Sequence, residues 1–375
     1  FDTVTYPVTY QVIEILGGTF NLFVMIIIIL FSGEMVWQSR SLKVHETENI
    51  LPVNNWHLLG SKITALITII FSMLSMLVIT GVIVQAFNGY YNFEIGLYIK
   101  SVLGLQFTYY ILIILFAFFV QILVNHKFLG YTLIIIYYIW DAQFAGAVLQ
   151  NNLFIYGEGP SYMYSDMNGY SEGMWVVLIY RFYWFAFAVL LSILANRFLV
   201  RGTEEGFIKR WKNFKTSWSK IRIAIPISLI VFLTTSGFIF YNTNILNDFN
   251  RSYEFEKRMV EYERKYKKYE NITQPRITAV DTKFDLYPEG GDAHIDGQYI
   301  LKNTSNTPLD TLILSMDRET VKSVNVDGGY STLIEDDMQK FHMYKLNQRL
   351  QPDDSTVLTF EFDYKVKGFT NNGVR

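Results

Sequence analysis

The 375-residue chain contains no cysteine, which excludes disulfide staples, Cys-ligated zinc and thiol nucleophiles. Charge is scarce too. Asp, Glu, Lys and Arg make up 18% of the residues, against 51% hydrophobic and 17% aromatic, with a mean hydropathy of +0.19, a balance too apolar for an ordinary soluble protein. Basic charge is not in excess, because the formal net charge is -2 and the isoelectric point about 6.3. A nucleic-acid partner is therefore not expected, since phosphate binding wants clustered Lys and Arg. No G-x-x-x-x-G-K-[ST] loop occurs, so any ATP has to be hydrolysed by a partner. His45-Glu46 has Asn at position 49 in place of a second His, and the five histidines, His45, His57, His126, His294 and His342, form no ligand pair at helical or hairpin spacing. No catalytic residue, cofactor-binding residue or metal ligand can be named from such a pattern. The acid run Glu335, Asp336 and Asp337 lacks the spaced oxygen ligands of a calcium loop. The chain starts at Phe1 with no basic segment before its first apolar run, so it is read as a fragment of a larger chain, without a signal peptide.

What is present is long apolar runs. A bilayer core of about 30 Å needs roughly 20 apolar residues per helix, and six runs meet that length: 12–32, 63–87, 101–124, 128–149, 175–195 and 223–241. A run such as Phe23 to Phe31 has no polar stripe, as a buried helix of a soluble protein would need. Charge sides with this division, because 18 of the Lys and Arg and 21 of the Asp and Glu follow residue 250. The expected fold is an α-helical transmembrane bundle of six spans followed by an all-β antiparallel sandwich. The domains are 1–245 for the membrane part, 246–274 for an amphipathic stalk helix and 275–375 for an incomplete β-domain.

Orientation follows from Lys and Arg in short loops. Arg40, Lys43 and Lys62 lie between the first two spans, Lys127 follows the third, and Arg197, Arg201, Lys209, Arg210, Lys212, Lys215, Lys220 and Arg222 follow the fifth. These loops are expected to face the cytoplasm, whereas Glu94, Glu158, Asp166 and Glu172 mark the outer ones. By parity residue 1 and the β-domain are outside, so an earlier span precedes Phe1 unless the amino terminus is itself translocated. The Gly- and Tyr-rich stretch 157–173 is long enough for a lid or re-entrant cap.

From Gly33 to Lys62 a charged, helical connector is expected, which breaks at Leu51-Pro52 before re-entering the bilayer at Ile63. Gly33, Glu34, Trp37, Arg40, Glu46, Leu51, Pro52 and Lys62 resemble the cytoplasmic elbow of exporter-type ABC permeases. That resemblance implies a short helix docking on an ATP-binding cassette subunit, with Glu34, Arg40, Glu46, Leu51 and Pro52 as the coupling residues. An ordinary amphipathic inner loop is the alternative. In the last inner loop Phe207, Trp211, Phe214, Trp218 and Ile221 recur at spacings of four and three, which puts the rings on one helix face, with Lys212 and Lys215 among the amines on the rest. Such a helix is expected in the inner headgroup region, against membrane lipids.

Two ionisable residues interrupt the spans. Asp141 and Arg181 lie roughly 9–12 Å from the outer ends of their helices at helical rise, and buried charge in lipid is normally paired. The reading is an intramembrane Asp141–Arg181 ion pair that locks packing, with a place on a transport pathway as the alternative.

After the last span, Phe255, Met259, Tyr262, Tyr266 and Tyr269 form a helical stripe. Beyond Pro275 the period becomes 2, in Val280 to Leu286, Ile295 to Leu301, Leu312 to Met316 and Leu358 to Val366, separated by Gly, Pro, Asn and Asp turns. The strand ending Leu286-Tyr287-Pro288, the Gly297-Gln298-Tyr299 strand, Leu309 to Leu314 and Leu350 to Ser355 together resemble the amino-terminal β-domain of aminopeptidase N-like zinc metallopeptidases. The resemblance implies a zinc site only in a catalytic domain beyond residue 375, since neither H-E-x-x-H nor Gly-x-Met-Glu-Asn occurs. Both resemblances together imply a bacterial inner-membrane fusion: an ABC permease, alone, as a homodimer or with a second permease half, carrying a peptidase-like ectodomain. A membrane-tethered zinc aminopeptidase using the spans as an anchor, and a non-catalytic scaffold, are the alternatives. The transported substrate is not legible in the sequence.

Overall fold

A computed structural model describes residues 6–42, 44, 52–162, 164–170, 173–199, 223–288, 290–317 and 320–373. The chain divides near Tyr241 into a helical unit and a β-rich unit. Six helices are long and apolar enough to cross a membrane: α1 Thr9–Ser41, α2 Asn55–Phe87, α3 Ile95–Val124, α4 Lys127–Leu149, α5 Met174–Phe198 and α6 Ala224–Leu246. The one proline within them, Pro226, sits in the first turn of α6, where its missing N–H breaks nothing.

Packing sorts the helices. In α3 and α5 half of the most apolar stretch is buried, but in α4 only 11% and in α6 only 6%. The outward faces instead present Leu22, Phe23, Ile26, Ile79, Ile136, Phe185 and Leu233. A sheath of large aliphatic and aromatic groups on a multi-helix bundle is the surface that lipid tails cover. Hydroxyls on α2 conform to the same solvent. Thr64, Thr68, Ser72, Ser75 and Thr80 each donate to the carbonyl four residues back, at 2.8–2.9 Å, so none of them requires water. Where side-chain amides face inward they join helices. Gln85, fully buried, donates to Thr9 at 3.1 Å and to the Pro7 carbonyl at 3.0 Å and accepts from Tyr98 at 2.9 Å. Gln121 accepts from Trp37 at 3.2 Å.

The helix ends differ from expectation. The first helix runs on through Gly33 to Ser41, and the second begins at Asn55, capped by Asn54, eight residues before the anticipated start. No proline or glycine pair stops α1 at Ser32, and Gly33 is needed for packing rather than for a break: a Cβ there would lie 2.2 Å from the Tyr131 ring of α4.

The β-rich unit is a sandwich of two antiparallel sheets. Strands β1 Arg276–Tyr287, β2 Asp292–Lys302, β7 Ser355–Tyr364 and β4 Val321–Val326 form one sheet in that order; β3 Leu309–Ser315, β6 Phe341–Leu350 and β5 Tyr330–Asp336 form the other. Leu301, Val326, Leu358 and Phe360 of the first sheet meet Leu312 and Leu346 of the second in the core. The turn Asp327-Gly328-Gly329, with both glycines at positive φ, carries the chain from one sheet to the other. Strand β1 overhangs: Val280, Phe284 and Leu286 stay exposed.

Helix α7, Ser252–Tyr266, belongs to this unit. Only the C-terminal half of its expected stripe is used. Tyr266 stacks on Phe341 at 3.9 Å between ring centroids, with Tyr262 and Tyr269 beside it, whereas Phe255 and Met259 are exposed. Asp336 anchors the contact, accepting from Lys265 and Tyr266 at 2.5 Å each. These bonds, Lys265 first, hold the Asp336 carboxyl at about 2, and Asp336 pushes Lys265 up to about 12. A depressed carboxylate adds stability above its ordinary value of 3.8 that is lost as pH falls toward the folded value. Between pH 4 and pH 2 the melting temperature of Asp336→Asn is therefore expected to fall less steeply than that of the wild type. Parallel acid profiles would refute the contribution.

Candidate functional site

A hollow with polar lining opens among the apolar helices. A cavity of about 470 Å³ lies among α1, α3, α5 and the connection that follows α4. Gly17 and Gly18 give α1 a side-chain-free wall, and Asn21 follows one turn later. From α3 come Gln106, Tyr109 and Tyr110, and from α5 Tyr180 and Arg181. The connection supplies Glu158 and Tyr162.

One wall is pre-set by its own hydrogen bonds. Gln106 donates to the Tyr110 hydroxyl at 3.2 Å, and Tyr110, fully buried, donates to Asn21 at 3.0 Å. The connection forms the opposite wall and is itself tied down. Tyr183 donates to the Leu153 carbonyl at 3.0 Å, Trp184 to the Glu158 carbonyl at 2.9 Å, and Tyr156 to the Leu112 carbonyl at 2.8 Å. Burial pushes the Tyr156 hydroxyl above its ordinary range, so it remains a neutral donor. Two stretches of wider, π-type helix adjoin this region, Ile99–Gln106 and Asp141–Ala145. Such stretches gather at functional sites because they re-aim side chains; here the first delivers Gln106 to the cavity.

The expected ion pair is absent. Arg181 donates to the Gly157 carbonyl and its guanidinium lies 5.3 Å above the Tyr109 ring, while Asp141 accepts from Tyr137 at 3.5 Å. Gly157, at φ 82°, turns its carbonyl toward Arg181, so the connection takes the place the carboxylate was expected to fill. Among the described residues no carboxylate lies within 4.0 Å of Arg181, and no cation within 4.0 Å of Asp141 or Glu158.

The elbow residues are engaged within the chain. Glu34 pairs with Lys127 at 2.5 Å, and Arg40 donates to Asn125 at 2.9 Å while lying 4.9 Å above the Trp37 ring. These contacts tie the last turns of α1 to the α3–α4 corner, which Asn125 makes by ending α3 in the left-handed conformation. Pro52 is exposed. Glu46 and Leu51, and the interface-helix residues Trp211, Lys212, Phe214, Lys215 and Trp218, lie outside the described residues.

In the β-rich unit two groups have the donor types of a cation site: His294, Asp296 and Glu361, and Glu335, Asp337 and His342. The first is closed by the chain's own cations. His294 bonds Asp363 at 2.6 Å, a contact that pushes its imidazole upward, and Lys322 sits 2.5 Å from Asp363 and 3.8 Å from Glu361. In the second, His342 is fully buried with Nε2 3.3 Å from the Met316 carbonyl. An imidazole donating to a carbonyl has no lone pair on that nitrogen for a metal.

No known protein family, characterised protein or solved structure matches this chain. The site is therefore defined by its residues alone. Of its charged members Arg181 is legible in the sequence as a cation within a span; Glu158 reads there only as an outer-loop charge. Asn21, Gln106, Tyr109, Tyr110 and Tyr180 were missed, although single amides inside apolar runs are a signal that could have found the first two.

Proposed function

We propose that the chain is the permease part of an ABC exporter-type transporter of a bacterial inner membrane, with its β-domain on the extracytoplasmic side. ATP hydrolysis is supplied by a separate subunit at the inner ends of α1 and α2, around residues 34–52. The polar cavity among lipid-covered helices carries this reading. A mere anchor has no use for a hollow lined by amides, tyrosines and unpaired charges, because each of them costs free energy in an apolar bilayer. A permease needs such a hollow between helices that move against one another. The connector with Glu46, Leu51 and Pro52 supports the identity of the motor, and these 375 residues hold no P-loop of their own.

The test is affinity purification from the native membrane followed by reconstitution. A stoichiometric ATP-binding subunit, lost on changing Glu46→Lys together with Leu51→Ala, and ATP-dependent solute flux in vesicles are expected. A chain that purifies without any ATPase and only releases amino-terminal residues from peptides in a zinc-dependent way would instead be a tethered peptidase.

A further inference from the structure

Two opposite charges face one cavity without meeting. Arg181 satisfies one guanidinium nitrogen with the neutral Gly157 carbonyl, while its Nε is buried and makes no hydrogen bond. Glu158 makes no side-chain hydrogen bond and no ion pair among the described residues, and both residues line the cavity. In a hollow surrounded by apolar helices, a separated and uncompensated pair of this kind is costly. The cost is relieved by a ligand whose own charges run in the opposite order.

We infer that the cavity binds a small ammonium–carboxylate zwitterion, an amino acid or short peptide, with its carboxylate at Arg181 and its ammonium at Glu158. This rests on the transport reading and names the substrate class of its site. Arg181 lines the cavity, and its guanidinium can form a charge-assisted bond with a carboxylate oxygen that a neutral acceptor cannot equal. Glu158 offers acceptor oxygens to an ammonium, and Tyr162 lines the cavity with it. A purely anionic ligand would be repelled by Glu158 and a cationic one by Arg181. A neutral ligand would leave both charges uncompensated. The Gln106–Tyr110–Asn21 wall is ordered by its own hydrogen bonds, and the opposite charges of Arg181 and Glu158 are what distinguish a zwitterion from a singly charged ligand. The volume lies within the range that small organic ligands occupy.

The experiment is equilibrium binding of radiolabelled alanine and trialanine to the full chain purified in detergent, with N-acetyl-trialanine, trialanine amide and phosphatidylethanolamine vesicles as competitors. Saturable binding is expected, with each singly blocked peptide weaker by about tenfold or more and the vesicles without effect. Arg181→Gln and Glu158→Gln are each expected to reduce affinity by a similar factor. The wild-type competition series needs no substitution, so a variant that misfolds does not shield the inference. Blocked peptides competing as well as free ones, displacement by the lipid alone, or no saturable binding up to about 10 mM would each overturn it. ATP-driven flux of a different solute, with no zwitterion bound, would sink this inference and leave the transport reading standing. Zwitterion binding by a chain with no ATPase partner would do the reverse.

Discussion

Replacing Gly297 by Val is expected to strip the β-domain of its core. Gly297 lies in β2 between Thr282 of β1 and Phe360 of β7, and a Cβ there would stand 2.2 Å from Phe360 Cζ and 2.8 Å from Thr282 Cγ2. The Phe360 ring fills the space that the absent side chain leaves. It has no room to retreat, because it is buried and packs against Tyr299 at 4.6 Å and Phe362 at 5.1 Å between centroids. Valine must either displace that ring or part β2 from its neighbours. Overpacking of this kind, added to the exposure of a core phenylalanine, costs roughly 3–5 kcal/mol, comparable with the whole stability of a small domain. Limited proteolysis of the full chain is expected to cut within 276–364 in Gly297→Val. Gly290→Ala, where the nearest neighbour of an added Cβ is 3.7 Å away, is expected to stay resistant. A second change, Phe360→Leu, is expected to restore part of the resistance to Gly297→Val. Equal resistance of Gly297→Val and wild type would contradict the packing described.

The second large effect is expected in the helical unit. Gly81 on α2 lets the Tyr98 ring of α3 approach so closely that a Cβ would sit 2.7 Å from its hydroxyl oxygen and 2.8 Å from its ring. Tyr98 is itself buried and held by Gln85, one turn further along α2, which in turn holds Thr9 and Pro7. A larger residue at 81 separates the two helices and unmakes this network at once. In lipid such groups find no water to replace their partners. Gly81→Leu is expected to cost about 2–4 kcal/mol and to lower the melting temperature in detergent clearly. Gly60→Leu, on the same helix with open space around it, is expected to leave it unchanged. Equal melting of both variants would remove the Tyr98–Gln85 contact from the account.

The six spans and the two-layer β-domain were legible because each rests on a periodicity: unbroken apolar runs in one case, alternation in the other. Strands β1, β2, β3 and β7 carry that alternation on the surface of the sequence. Strands β4, β5 and β6 were hidden, since Val321 to Val326 is interrupted by Lys322, Ser323 and Asn325, and β6 buries Phe341, His342, Met343 and Tyr344 in succession, on both of its faces. That the residues after Gly33 are helical was legible, but not that they continue α1 without a break, because a glycine that admits a neighbouring ring looks the same in sequence as one that ends a helix. At the site, depth along a helix matched Asp141 with Arg181, but depth says nothing of azimuth. Their true partners, the Tyr137 hydroxyl and the Gly157 carbonyl, depend on a backbone turn at positive φ and a π-type stretch that no local pattern announces.

A chain without cysteine invites a direct examination of its topography, because every introduced thiol is the only one present. Single-cysteine variants at Leu42, Met167 and Met338, all strongly exposed, can be treated in intact cells or sealed vesicles with a membrane-impermeant maleimide. Six crossings place Met167 and Met338 on one face of the bilayer and Leu42 on the other. Labelling of the first two from outside, with Leu42 reacting only after permeabilisation, is the predicted result. Leu42 and Met338 reacting under the same condition would contradict it.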